Sequence, residues 1–531
     1  MSAITITIDG RPVEVQPGES VLAAARKLAI DIPTLCHLEK CGPLNTCQVC
    51  LVKVTANGQS RLVPSCGTIA TSGLVVESDT GDVHEARRTA FELLFSDHVG
   101  DCLSPCHRLC PLLLNIPVMI RQIEAGHTDE AIKTVCETLP LPSVLGRICH
   151  HPCEQGCRRG NWDSPAAIRD MERFVAGQNR AAPVPRTVFR KPDTDKMIAI
   201  VGAGPAGLAA AFYLARNGHN VTVFDRQSAP GGTLRNVAET ELPAAELNAD
   251  IASLSRMGIE FKPDHELGAR MTMDGLRREY QAVLLAVGEN EKTAAEKLGV
   301  VLNGAAIKTD PNNCRTNLPD VFATGSAVKP VKQIVRAMSE GRAAAECVHQ
   351  FLSGLPVHRP EKPFSSIMGR IEPGELRLFL RSASASASAT PCDRCRGLDR
   401  QEAVTESARC LHCDCRSSGN CLLQHYAQVY GAEASRFKSE RRTFEQQLQP
   451  GGVIFEPGKC ILCGICVKLA EMAREPLGLT FVGRGFDVRV AAPFNRQIND
   501  GLRSVAAECV HHCPTGALAF PDTPPRTGGV S

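Results

Sequence analysis

Neither charge sign dominates this sequence. Its 59 Lys and Arg stand against 57 Asp and Glu, a formal charge of +2, so no field strong enough to capture nucleic acid or an anionic membrane is expected. No uninterrupted apolar run approaches the roughly 18 residues needed to cross a bilayer, which argues against direct membrane insertion. The opening residues MSAITITIDG lack the basic, apolar and small-residue succession of an export signal, and the expected location is cytoplasmic. Thiols stay reduced there, so the 25 cysteines, which fall in tight groups, point to metal or cluster ligation rather than a disulfide framework.

At 531 residues the chain is expected to be multidomain, mixing α+β and α/β parts. Residues 1–80 open with ITITIDG and VEV, alternation that predicts a strand pair turning at Asp9-Gly10, and ESVLAAARKLAI predicts a helix after it. Residues 81–188 carry helical patterning. Residues 189–360 start a nucleotide-binding unit at MIAIVGAGPAGLAAAFYLA, an apolar strand, a glycine turn and a helix. Residues 361–445 read as a linker with a cysteine-rich motif, because SASASASAT is too small and polar to build a core. Residues 446–531 form a second cysteine-rich unit.

The first cysteine group is Cys36, Cys47, Cys50 and Cys66. Four thiolates can hold a two-iron cluster, with a glycine-bearing loop turning N–H groups to its sulfurs. The spacing resembles the [2Fe-2S] domain at the start of the large peripheral subunit of respiratory complex I and of related hydrogenases, which implies a β-grasp ferredoxin fold and leaves Cys41 surplus. A structural zinc site is the alternative.

The second group runs from His98, Cys102, Cys106 and Cys110 to Cys149, Cys153 and Cys157. CHRLCP, PLPSVLGRICHHPCEQGC and AAIRDMERF resemble the helical double-cluster domain shared by the glutamate synthase small subunit and dihydropyrimidine dehydrogenase. The resemblance implies one [4Fe-4S] cluster on Cys102, Cys106 and Cys157, and another on Cys110, Cys149 and Cys153. The position of the latter's fourth ligand is Glu172, either an oxygen ligand or a neighbour. His98 stands near the place of the family's missing first cysteine, either as a ligand or as a surface histidine.

ARCLHCDCRSSGNC supplies Cys410, Cys413, Cys415 and Cys421, preceded by Cys392 and Cys395. Four cysteines in so short a span signal a metal without selecting a [4Fe-4S] cluster over zinc. In the last group, Cys460, Cys463 and Cys466 precede Cys509 and Cys513. A bacterial ferredoxin shares the fourth cysteine of each run with the other run's cluster. Ala470, Arg503 and Ala506 occupy three ligand positions, so one [4Fe-4S] cluster is expected on Cys460, Cys463, Cys466 and Cys513. FVGRGFDVRVAAPF resembles the complex I and hydrogenase ferredoxin segment.

Gly202, Gly204 and Gly207 permit close approach to a pyrophosphate at a helix N-terminus, and Asp225 at the end of the next strand would accept from a ribose. APGGTLRN with Gly232, LLAVG with Gly288 and TNLPDVFATGSAV with Gly325 resemble the FAD domain of glutamate synthase small subunits and disulfide-reductase-like flavoproteins, which implies FAD. Those families place Asp where Ser326 stands here. They also insert a second nucleotide-binding domain where only 27 residues separate Gly288 from Thr316, and no Cys-x4-Cys redox pair follows GAGPAG.

The cofactors expected are FAD, one [2Fe-2S] and three to four [4Fe-4S] clusters, and no side chain is assigned a catalytic role. The expected function is electron transfer between partner redox subunits of diaphorase-like, hydrogenase or formate-dehydrogenase-like type. A self-contained NAD(P)H-dependent reductase and a structural scaffold with an inactive flavin site are the alternatives.

Overall fold

The computed structural model describes residues 4–521 except 183–185, 187, 290–297, 390–396 and 449–451. Cys392 and Cys395 therefore lie outside the described residues. The chain divides into two compact units: residues 1–104, 363–381 and 413–531 form the first, and 105–362 with 382–412 the second.

Unit 1 opens as the alternation predicts. Strands β1 (Ile4–Ile8) and β2 (Arg11–Val15) pair antiparallel, and their turn residue Asp9 adopts φ 48° ahead of Gly10 at 75°, the left-handed pair such a tight turn requires. Helix α1 (Val21–Lys27) follows, with the Ser20 side chain accepting from Ala23 N–H as its cap. Strands β3 (Leu51–Ala56), β4 (Gln59–Pro64) and β5 (Val75–Glu77) complete a five-stranded sheet in the order β2-β1-β5-β3-β4. Ile6, Ile8, Val13, Val15, Val52, Val54 and Val76 project to one buried face and pack with Val21 and Leu22 of α1. Helix α2 (Gly81–Ser96) ends just before His98.

Unit 2 begins with helices α3 (Pro105–Leu109), α4 (Ile116–Glu124), α5 (Thr128–Cys136), α6 (Pro142–Ile148) and α7 (Ile168–Ala181). A parallel sheet follows: β6 (Met197–Val201), β7 (Asn220–Phe224), β8 (Glu260–Lys262), β9 (Ala282–Leu285) and β10 (Val321–Ala323), ordered β8-β7-β6-β9-β10. Strands IAIV and AVLL are buried along both faces, the continuous apolar pattern of a parallel sheet covered on each side. Helix α8 (Pro205–Arg216) connects β6 to β7, and α9 (Ile334–Leu352) crosses it so closely that a Cβ on Gly341 would stand 2.1 Å from the Ala206 carbonyl oxygen. This is a Rossmann-type nucleotide-binding arrangement.

The reading of 361–445 as one linker segment needs correction. Residues 363–381 belong to unit 1, including a helix over Pro373–Leu380, whereas 382–412 belong to unit 2 and include α10 (Arg400–Ser407). Composition alone reads the SASASASAT stretch as linker. Its residues 382–389 are tied down by hydrogen bonds that composition cannot reveal: Arg159 donates to Ser384 O at 2.9 Å, Arg409 to Ser386 O at 3.2 Å, and Ala389 N–H to Glu406 at 2.7 Å. Unit 1 resumes with α11 (Leu422–Val429), α12 (Ile465–Met472) and α13 (Ala506–His512).

Candidate functional site

No described cysteine forms a disulfide, and among the described residues no three His, Cys, Asp or Glu side chains converge tightly enough for a single metal ion. The sulfurs gather in looser sets. In the first, the Cys36 thiol shares hydrogen bonds with Cys47 and Cys66, and Cys50 Sγ lies 3.4 Å from Cys66 Sγ. A metal–thiolate bond of about 2.3 Å at the tetrahedral angle sets paired sulfurs about 3.8 Å apart, so this pair is spaced to share one metal. Cys36, Cys47, Cys50 and Cys66 are each buried. Asn45 Oδ1 accepts from the Cys66 thiol at 3.1 Å.

The last cysteine group is in the same unit. Cys460 begins the loop entering α12, and Leu462 N–H donates to its sulfur at 3.4 Å. Cys513 faces Cys460, Cys463 and Cys466 electrostatically. Burial pushes the Cys460 thiol up to about 12, so ionisation there requires a positive partner such as a metal. Cys509, buried, donates weakly to Cys466 O at 3.8 Å. Cys36 is an electrostatic neighbour of Cys463, and the Thr46 hydroxyl donates to Cys463 O at 3.2 Å. Unit 1 thus sets its first and last thiol groups side by side.

In unit 2, Cys110, Cys149 and Cys153 all feel the Glu172 carboxylate. Glu172 sits on α7 at 6 % exposure, and burial pushes its carboxyl up to about 8, helped by nearby Glu154 and opposed by Arg169. A buried carboxylate facing three buried thiols is a donor set that a cationic cluster would satisfy.

The remaining cysteines group otherwise than their spacing suggests. Cys102 was expected with Cys106 and Cys157, and Cys410 with Cys415 and Cys421. Instead, Cys102 neighbours Cys415 and Cys421 in unit 1. In unit 2, Cys157 neighbours Cys410, and both pack with Cys106 against the helical core. His412 N–H donates to Cys410 Sγ at 3.4 Å, and its ring meets Glu124 at 3.3 Å. Cys413 opens the returning segment of unit 1. His98 is 7 % exposed, in a buried position rather than on the surface.

The nucleotide-binding turn follows β6. Gly202 takes φ 108°, and a Cβ on Gly207 would stand 1.9 Å from Gly202 O, so both glycines are fixed by backbone packing. Gly204 differs: a Cβ there would meet nothing within 4 Å. As residue before α8 it has no side-chain cap, leaving an open space before first-turn N–H groups, a cradle that fits a pyrophosphate. Gly232, at φ 53°, approaches so closely that its Cβ would lie 2.8 Å from Gly204 Cα, and Gly325 similarly backs onto Ala206. Gly288 adopts φ 77° just beyond β9. Asp225 follows β7, where its carboxylate accepts from Ala203 N–H at 2.5 Å and Gln227 N–H at 2.8 Å, so it braces the glycine loop. The Ser326 hydroxyl accepts from Val331 N–H at 3.2 Å.

Sequence reasoning passed over Lys459, which is 4 % exposed, ion-paired with Glu456 and an electrostatic neighbour of Cys102 and Cys415. Its position directly before Cys460 was the available signal.

Residues 1–81 match the 2Fe-2S iron–sulfur cluster binding domain, 96–184 match dihydropyrimidine dehydrogenase domain II with its 4Fe-4S cluster, and 186–341 match the pyridine nucleotide–disulphide oxidoreductase domain. The chain is 34 % identical over 269 residues to the β subunit of an NADP(+)-dependent formate dehydrogenase from Moorella thermoacetica, covering 46 % of this chain and 37 % of that one. It is 36 % identical over 191 residues to the β subunit of an NADPH-Fe(3+) oxidoreductase from Geobacter sulfurreducens (35 % and 28 %). It is 34 % identical over 190 residues to the PreT subunit of the NAD-dependent dihydropyrimidine dehydrogenase of Escherichia coli (35 % and 45 %). The chain spans less than half the length of each of these relatives. Its first 341 residues are thus similar, in turn, to a 2Fe-2S domain, a dihydropyrimidine-dehydrogenase-type 4Fe-4S domain and a pyridine nucleotide–disulphide oxidoreductase domain.

Proposed function

We propose that this chain is an oxidoreductase subunit that relays electrons between partner redox subunits, using FAD and several iron–sulfur clusters. The observation that carries the reading is the adjacency, inside unit 1, of the Cys36 and Cys460 thiol groups, linked by the Thr46–Cys463 hydrogen bond. Buried thiols set close together but separately suit clusters that pass electrons along.

The first sheet would be a β-grasp ferredoxin fold holding a [2Fe-2S] cluster on Cys36, Cys47, Cys50 and Cys66. A bacterial-ferredoxin-like fold would hold a [4Fe-4S] cluster on Cys460, Cys463, Cys466 and Cys513. Cys110, Cys149, Cys153 and Glu172 would hold another. FAD would lie with its pyrophosphate at Gly204 before α8, and it would supply exchange between two-electron and one-electron steps when bound. The chain's own groups hold and tune these cofactors: backbone N–H groups such as that of Leu462 donate to ligand sulfurs, which favours the electron-rich state.

Between Gly288 and Thr316 the described residues contain only a short hairpin pairing Leu302–Asn303 with Ala306–Ile307, and the sequence there has no second glycine fingerprint. Reduced pyridine nucleotide would therefore be oxidised on a partner subunit. The formate dehydrogenase β subunit among the relatives supports a formate-dehydrogenase-like partner. Anaerobic purification of the full chain tests the reading through its cofactor content. The expected yield is about one FAD and about 14 to 18 irons per chain; a chain that takes up zinc and no iron would refute it.

A further inference from the structure

Two sequence groups that spacing keeps apart meet in unit 1. Cys102 stands at the end of the unit's first segment, while Cys415 and Cys421 lie near the start of its last. The structure brings all three together: Cys415 N–H donates to Cys102 O at 3.3 Å, and Cys421 feels both Cys415 and Cys102. Two of the sulfurs already have the backbone donors typical of cluster ligands. Ser366 N–H points at Cys102 Sγ, and Gln424 N–H at Cys421 Sγ, each at 3.4 Å. A Cβ on Gly516 would come within 2.2 Å of Cys415 Sγ, so a glycine is needed where that sulfur sits.

The fourth member is His98. The residue is 7 % exposed, and its Nδ1 is buried without a hydrogen-bond partner, an arrangement that is unfavourable unless a ligand satisfies it. The backbone just after it is fixed, with Val99 N–H donating to Gly458 O at 2.7 Å. Gly458 precedes Lys459, whose buried side chain is an electrostatic neighbour of His98, Cys102 and Cys415 alike. A Cβ on Gly100 would press on that same lysine, 2.7 Å from its Cε. One buried cation thus neighbours two thiols and an unsatisfied imidazole nitrogen, and Cys421 joins the same two thiols, a donor set of soft and borderline ligands suited to iron.

We propose that His98, Cys102, Cys415 and Cys421 together hold one [4Fe-4S] cluster in unit 1, its ligands drawn from segments on opposite sides of the long insertion that forms unit 2. The proposal rests on the iron–sulfur reading above but changes which cysteines act together. Cys102 belongs functionally with Cys415 and Cys421, not with Cys106 and Cys157. Lys459 offsets the negative charge that the three thiolates leave on the cluster.

The test uses the anaerobically purified full chain, with iron content and EPR of the dithionite-reduced protein. Cys102→Ser and Cys421→Ser should each remove about four irons and the same EPR signal, and the double variant should remove no more than either. Cys157→Ser should spare that signal. Pulsed EPR of wild-type protein labelled with 15N-histidine should show a directly bound nitrogen on it, absent in His98→Cys, and this readout does not depend on a cysteine variant folding. Loss of one signal from Cys102→Ser and Cys157→Ser, with a different one lost from Cys421→Ser, would overturn the grouping. Absence of a coupled histidine nitrogen from every cluster would overturn the four-ligand set. Wild-type protein without iron would instead defeat the underlying cluster reading.

Discussion

Among single residues, the glycines of the nucleotide turn separate packing from binding. Gly207 is enclosed by Gly202 O, whereas the space beside Gly204 is open and its φ of −78° is one any residue adopts. Gly204→Ala should therefore leave the cofactor-free protein's unfolding within about 0.5 kcal/mol of wild type while abolishing flavin retention. Comparing flavin absorbance with a denaturation curve checks both, and retained flavin would show that the cradle does not receive the pyrophosphate. Glu172 makes a second residue-level case. If its carboxylate completes the Cys110, Cys149 and Cys153 site, Glu172→Ala should lose about four irons and Glu172→Gln, which keeps an oxygen donor, should retain them. Equal iron in both variants would make Glu172 a mere neighbour.

Legibility from sequence divides at this scale. The glycine turn after the first strand of the parallel sheet could be read because backbone geometry acts within a few residues, whereas the Asp225 bonds to Ala203 and Gln227 N–H could not. Lys459 and the company of Cys102 could not, because their neighbours arrive from distant segments and sequence spacing carries no record of that meeting. Ser326 was readable as a departure from its family, but its bond to Val331 N–H was not.

Among elements, the Asp9-Gly10 hairpin and α1 follow from alternation, a left-handed turn and a serine cap. The serine–alanine stretch shows where composition misleads, because its order is imposed by buried groups of neighbouring elements. Glu406 and Arg409 form an ion pair at 2.5 Å with neither side chain exposed, and Glu406 also binds Ala389 and Ala167 N–H. Removing one member of such a pair leaves a buried charge, at a cost of about 3–5 kcal/mol. Glu406→Ala should make residues 382–389 rapidly cleavable in limited proteolysis where wild type resists. Equal cleavage rates would return that stretch to the status of a flexible tether.

The helix over Pro373–Leu380 offers a pH-dependent case. Glu375, in its first turn, accepts from Arg441 at 2.6 Å and Phe444 N–H at 2.6 Å. The Arg441 hydrogen bond, chiefly, holds its carboxyl down at about 2, below the ordinary value near 4.3. A depressed acid contributes stability that is fully present above the unfolded value and lost as pH falls through the folded one. Glu375→Gln should thus destabilise the protein at pH 7, and the difference from wild type should shrink between about pH 4 and pH 2. Urea unfolding across that range measures it, and a difference independent of pH would exclude the ion pair as its source.

At the scale of the whole molecule, the chain combines three matched regions with a cysteine-rich C-terminal region, and the segments of unit 1 are interrupted in sequence by those of unit 2. The order of modules was legible because each carries local motifs. The split of 361–445 between two units was not, because it depends on long-range packing. The proposed function has this chain relaying electrons received from a partner rather than from a pyridine nucleotide of its own. The most direct measurement is anaerobic stopped-flow reduction of the purified full chain by NADH, NADPH and dithionite, followed by flavin and cluster absorbance. Reduction by dithionite alone is the result expected; rapid bleaching by either pyridine nucleotide would contradict the relay and make the chain a reductase in its own right.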